Sequence, residues 1–290
     1  MIQRPLTVLQ GSRYFFVHIM KTGGTSFAQL VRANFRKDEC YPDALLPPES
    51  DLLRRMEAYS FVPRLVAEVN ARSTLRMVRG HVPYCVRSML KADYIALTLL
   101  RNPVERTLSY LNHCRTYHQE HSNSPVEEIY EQPWFFKSFI HNYQTKLFSM
   151  TADEATAETR LGDIAPPLPP RSAFLTGEPL PSEAQQLLTE SPARLALELF
   201  SPPTGALEAD KERLQSALRN LGEVDLVGVT EDYGSFLKRL RDQHGWRIDF
   251  MPRSNVGETA TRVSSAFRKR IAEDNSLDMA LYEKAREMVL

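Results

Sequence analysis

Residues 14–19, Tyr14-Phe-Phe-Val-His-Ile19, form a short aromatic and β-branched run of the kind that fills a buried strand. The run leads through Met20 into Lys21-Thr-Gly-Gly-Thr-Ser26, after which Phe27, Leu30, Val31 and Phe35 recur at helical spacing. That order predicts strand, glycine turn, helix. Further strands are predicted over residues 74–79, closing on Gly80-His81, over 94–100, closing on Arg101, and over 224–229, ahead of a helix over 233–243. Beyond Arg101 the sequence spells a helix start: Asn102 as cap, Pro103 at the first helical position, Glu105 completing a capping box. Apolar strands alternating with helices predict an α/β protein with a mostly parallel central sheet covered on both faces.

Two stretches depart from that alternation. Residues 151–203 hold nine of the nineteen prolines, with Ala-Pro-Pro-Leu-Pro-Pro at 165–170. Such density cannot continue a central sheet, so a Pro-rich, partly helical insertion or lid is expected within 151–222, inside a single domain spanning 1–290. The tail, 261–290, reads as two amphipathic helices broken near Asn275.

Composition adds exclusions. The 36 Lys+Arg balance 36 Asp+Glu, which weighs against a nucleic-acid or polybasic membrane binder while allowing a local basic pocket. The apolar runs fall far short of the ~20 residues that cross a bilayer. Residues 1–10 lack the pattern of a secretory leader. Cys40, Cys85 and Cys114 are scattered and odd in number, which fits a reduced cytosolic setting, and no C-x-x-C suggests zinc.

A glycine turn between strand and helix exposes backbone N–H groups at the positive end of the helix, where an anion can sit. Lys21 adds charge there, and Thr22, Thr25 and Ser26 add hydroxyls. The lysine precedes Gly23-Gly24, unlike the G-x-x-x-x-G-K-[ST] order of nucleotide triphosphatases. On these residues alone, a plain βα turn with a surface lysine fits as well.

His18-Ile-Met-Lys-Thr-Gly-Gly-Thr-Ser26 resembles the 5′-phosphosulfate loop of sulfotransferases that use 3′-phosphoadenosine 5′-phosphosulfate (PAPS), closest to the branch of heparan sulfate 2-O-sulfotransferase and its bacterial relatives. Leu100-Arg-Asn-Pro-Val-Glu-Arg-Thr-Leu-Ser-Tyr110 resembles that family's 3′-phosphate signature, in which Arg101 and Ser109, eight positions apart, match the two phosphate ligands. Arg79-Gly-His-Val-Pro-Tyr84 resembles the branch's His-Gly-His-Val segment, with His81 at the position of the general base and Arg79 in place of the first histidine. The resemblance covers about 14–35, 75–112, 135–150 and 224–290.

The resemblance implies a P-loop-like sulfotransferase fold and a transfer from PAPS, leaving PAP, to an acceptor hydroxyl on a glycan or small metabolite. His81 would take the acceptor proton, and Lys21 would stabilise the departing phosphate. Residues 22–26 would hold the phosphosulfate, with Arg101 and Ser109 at the 3′-phosphate. Arg79, Gln144 and Lys146, the last two in a segment resembling one near the substrate pocket, are candidate acceptor contacts, and residues 253–262 are candidates to cover the nucleotide. No metal is required, and His113, His118, His121 and Cys114 lack the spacing of a familiar metal site. Asp225 reads as part of a core strand rather than a magnesium-binding acid. With neither anchor nor leader read, a soluble cytoplasmic enzyme of bacterial type is expected. A nucleotide kinase or NTPase is the alternative among enzymes, and a noncatalytic PAP-binding scaffold the alternative outside them.

Overall fold

The computed structural model describes residues 11–42, 52–157, 182–248 and 263–290. One five-stranded, all-parallel sheet runs in the order β2-β3-β1-β4-β5. Its strands are β1 Tyr14–Val17, β2 Cys40–Tyr41, β3 Met77–Gly80, β4 Ile95–Leu100 and β5 Leu226–Val229. β1 is central, pairing Tyr14 with Met77 on one side and with Ile95 on the other. Four strands fall where the apolar runs predict, to within two or three residues. β2 is only two residues long and leaves no period to read.

The main helices are α1 Gly24–Asn34, α2 Leu52–Ser60, α3 Val62–Ala71, α4 Pro103–Tyr117, α5 Tyr143–Ser149, α6 Pro192–Phe200, α7 Lys211–Gly222, α8 Tyr233–His244, α9 Ser265–Asp274 and α10 Ser276–Val289. Alternation along β1 sorts its side chains between two layers. Tyr14 and Phe16 pack with Phe27 and Leu30 of α1 and Phe236 and Leu240 of α8. Phe15 and Val17 enter a larger layer with Leu108 of α4, Leu147 of α5, Ala217 of α7 and Leu281 of α10. Burial on both faces is why the strands read as unbroken apolar runs. Each large side chain so buried stabilises the fold by roughly 1.5–3 kcal/mol. The order and direction of the strands are compatible with a P-loop-like fold.

Two local expectations change. Asn102 does cap α4, accepting from the N–H groups of Val104 and Glu105. The reciprocal half of the capping box does not form: Glu231 accepts the Asn102 N–H at 3.0 Å, and Glu105 turns to Arg268 instead. The insertion expected over 151–222 also behaves differently at its two ends. Residues 158–181, with the run at 165–170, lie outside the described residues. Beyond them, Leu195, Leu199 and Phe200 of α6 form a small apolar cluster with Leu53, Met56 and Phe61. α7 belongs to the main layer, with Ala217 and Leu221 fully buried in it. No described residue of the insertion lines the candidate site. The tail helices α9 and α10 break at Asn275, as read. Among the described residues no helix is long and apolar enough to cross a membrane.

Candidate functional site

β3, β1 and β4 are neighbours spaced ~4.8 Å apart, so residues just past their C-terminal ends must lie side by side. His81 follows β3, the 21–26 loop follows β1, and Arg101 follows β4. Together with Ser109 from α4 they line one cavity of about 540 Å³. Strand order reverses about β1, and this is the edge where open α/β sheets hold ligands.

The loop is shaped by backbone conformation. Gly23, with φ of 95°, sits in the left-handed region glycine tolerates and leads directly into α1. Lys21 shares that region at φ of 71°, a conformation that costs roughly 1–2 kcal/mol for a residue with a side chain. Two guanidinium groups from beyond β4 hold it there: Arg101 Nη1 donates to the Lys21 carbonyl at 3.0 Å, and Arg106 Nε to the Met20 carbonyl at 3.2 Å. No side chain caps α1 and no acid occupies its first turn, so its leading N–H groups are left for an anion. Thr25 and Ser26 line the cavity as expected. Thr22 does not: it is fully buried and its hydroxyl donates to the Ile19 carbonyl at 2.9 Å, so it shapes the loop rather than offering a donor.

Among the described residues no carboxylate forms a salt bridge with Lys21. Burial, then the neighbouring Arg101 and Arg106, lower its pKa. A half-buried ammonium among guanidinium groups favours an anionic ligand. The two acids on the cavity wall, Glu105 and Glu231, are engaged by Arg268 and by the Asn102 N–H respectively.

His81 is anchored by its backbone N–H to Tyr59 O at 2.7 Å and by its ring to His18 O, with Nδ1 3.0 Å from that carbonyl. A carbonyl only accepts, so Nδ1 carries the proton and Nε2 keeps its lone pair. Burial pushes the His81 pKa down to about 4, leaving a neutral imidazole at neutral pH. Beside it stands His18, which opens the loop segment in the sequence but is given no role of its own there. Its ring lies 4.2 Å from that of His81, centroid to centroid, and over Gly24, where a Cβ would come within 1.7 Å of His18 Nε2. Its pKa, too, is held well down by burial. The paired residues are Gly24 and His18, so the second glycine of the loop is required by ring packing rather than by its own φ.

Arg101 and Ser109 both face the cavity. Arg101 is locked from behind by Gln144, whose Oε1 accepts the Arg101 N–H at 3.1 Å and whose Nε2 donates to the Arg101 carbonyl at 2.9 Å. Asp278 accepts the N–H groups of Gln144 and Thr145 at 3.1 and 2.7 Å, capping α5. Two asparagines tie the same segments together: Asn142 Oδ1 accepts the N–H groups of Leu277 and Asp278, and Asn275 Oδ1 accepts the Asn142 N–H. Gln144 is thus a positioning residue, fully buried, and not the acceptor contact expected. Lys146 is buried as well, donating to the Lys137 carbonyl at 2.9 Å, away from the cavity. Arg79 is buried with Nη2 on the Tyr59 hydroxyl at 2.7 Å and its guanidinium over the Tyr59 ring; it backs the wall behind His81 without lining the cavity. These three corrections share a cause: each polar group faces a buried carbonyl, amide or ring that only tertiary packing supplies.

Arg106 was not singled out from sequence because helical periodicity gives no sign that it is buried. It is 1% exposed, with Nη1 donating to the Phe139 carbonyl and its guanidinium 4.3 Å from the Tyr143 ring centroid. Of the four residues weighed as a metal cluster, His113 lines the cavity, while His118 and His121 pack edge-on against Phe135. Asp225 joins the core sheet edge, accepting from Ala96 N–H and pairing with Arg87. Residues 253–262 lie outside the described residues. A larger cavity, about 680 Å³, opens beyond the N-terminal end of β4, but it contains none of the residues singled out for chemistry, and Arg87 in its wall is already engaged. No protein-family model matches the chain, and no curated protein matches it.

Proposed function

We propose that the protein is a PAPS-dependent sulfotransferase of P-loop-like fold, moving a sulfuryl group to an acceptor hydroxyl. One observation carries this reading: a lysine that no carboxylate pairs among the described residues, beside an open helix N-terminus, an arginine and serine further along the wall, and a neutral imidazole whose Nε2 keeps its lone pair share a single cavity. The cavity therefore offers two anion-binding ends and a base. PAPS supplies two anionic groups for those ends and an activated sulfur between donor phosphate and acceptor.

The chain's own residues divide the work. The α1 N–H groups with Thr25 and Ser26 hold the phosphosulfate, and Arg101 and Ser109 hold the 3′-phosphate. His81 Nε2 takes the acceptor proton as the new O–S bond forms. The bond from sulfur to the donor phosphate oxygen breaks, leaving PAP with its charge beside Lys21. Neutral at any pH well above about 4, His81 is in the unprotonated form that a base requires.

The test is calorimetric titration with PAP together with transfer of radiolabelled sulfate from PAPS. Wild-type protein should bind PAP and transfer label to a hydroxyl acceptor without magnesium. His81→Ala should lose about 10²–10⁴-fold in turnover while PAP binds as before. No heat with PAP, or undiminished turnover in His81→Ala, would remove this assignment.

A further inference from the structure

The wall formed by α4 does not end at Ser109. From Glu105 onward, every fourth residue continues it: Ser109, His113, then Tyr117. Four residues advance a helix by about 6 Å and rotate it by about 40° past a full turn, so the stripe winds gradually out of the cavity. His113 still lines it. Tyr117, the next step, has turned into solvent at 63% exposure, and the two rings stack obliquely with centroids 4.3 Å apart. Among the described residues, Leu290 is the other exposed large hydrophobic.

A single exposed aromatic is ordinary on a protein surface. This one is set apart by where its ring rests, against a side chain that lines a polar cavity. Neither ring offers a cation. Burial pushes His113 down to about 3, and Lys21, His118 and His81 add to the effect, so the imidazole is neutral and lies within electrostatic reach of the reacting end. The nearest arginine on the same helix, Arg115, projects about 200° around the axis from Tyr117. Flat rings bordered by hydrogen-bonding edges, neither carrying a charge of its own to meet a carboxylate or sulfate, suit the CH-bearing face and hydroxyls of an uncharged sugar.

We propose that His113 and Tyr117 form the acceptor platform at the α4 mouth of this cavity, a stacked pair of rings that takes one pyranose ring of an uncharged glycan. The assignment rests on reading the cavity as a sulfuryl-transfer site. It makes Tyr117 a specificity residue with no part in holding the nucleotide.

Two uncharged trisaccharides, maltotriose and cellotriose, and one glucuronate-containing trisaccharide serve as probes in saturation-transfer NMR, with and without PAP. At least one uncharged sugar should receive saturation at its ring protons. Tyr117→Ala should reduce that signal about fivefold or more, and Tyr117→Phe should restore it, because the ring is what binds. PAP affinity by calorimetry should be equal in all three proteins. No transfer to either uncharged sugar, an unchanged signal in Tyr117→Ala, or a stronger signal from the anionic sugar would each overturn the platform. Absence of PAP binding in the wild-type protein would instead strike the sulfuryl-transfer reading, while the sugar measurements without PAP still judge the platform.

Discussion

The two ends of the cavity are built by opposite means. At the Lys21 end, the shape is set mostly by local means, since two left-handed backbone positions, a glycine packed under a histidine ring, and an uncapped helix start all lie within residues 18–26, with Arg101 and Arg106 bracing the loop carbonyls from outside. At the Arg101 end, the arginine owes its placement to Gln144, 43 residues away, itself seated by Asp278 another 134 residues on. Local construction fixes shape through sterics, and remote construction fixes it through satisfied buried hydrogen bonds. Each end should therefore fail differently.

Among variants that separate the two ends, the largest effect is expected at Gly24. In Gly24→Ala the new Cβ would meet the His18 ring, which must move against His81. A displacement of about 1 Å at a reacting group costs on the order of a hundredfold, so turnover in the sulfate-transfer assay should fall by about that factor while circular dichroism stays native. Full activity would break the claim that sterics govern this end.

Gln144→Ala should act more gently and at the other end. It strips the Arg101 N–H and carbonyl of their partners, at a cost of about 1–3 kcal/mol in urea unfolding. PAP affinity should fall about tenfold, whereas adenosine 5′-phosphosulfate, which lacks the 3′-phosphate, should bind as it does to wild type. Equal losses for both nucleotides would erase the distinction between the ends.

The smallest effect on turnover is set by pH. His81 and His118 are held down to about 4 and His113 to about 3, all by burial, against about 6.5 in an unfolded chain. The unfolded state therefore binds more protons across that interval, and stability complete above about pH 6.5 is lost as pH falls toward about 4. The melting temperature should already drop between pH 7 and 5, while turnover, which needs only neutral His81, should hold over the same range. A turnover decline centred near 6.5 would show that His81 is not held neutral by its surroundings.

The same contrast explains what could be read in advance. Strand, turn and helix around residues 14–35 are contiguous, and a glycine pair after an apolar run states its geometry on its face. Arg101 is legible as a strand-end residue before a capped helix. Gln144 and Lys146 are not, because their partners are the Arg101 backbone and the Lys137 carbonyl, which no local period encodes. Arg106 hides among helical polar positions, and its burial follows only once α5 and the residues ahead of it are packed alongside. Glu105 illustrates competition: the local capping box is offered, yet Glu231 and Arg268 displace it. His18 was visible as a letter, and its role becomes apparent only when the neighbouring strand brings His81 against it.

The bonds that tie Asn142 to the start of α10 carry a consequence for how the protein matures. A chain emerging from the ribosome presents its glycine loop early, but the seat of Arg101 waits for α10 to dock. The wall residue at the end of β4 is thus unseated until α10 has been made, and a chain cut ahead of Asp278 would fold with Gln144 unsupported behind Arg101.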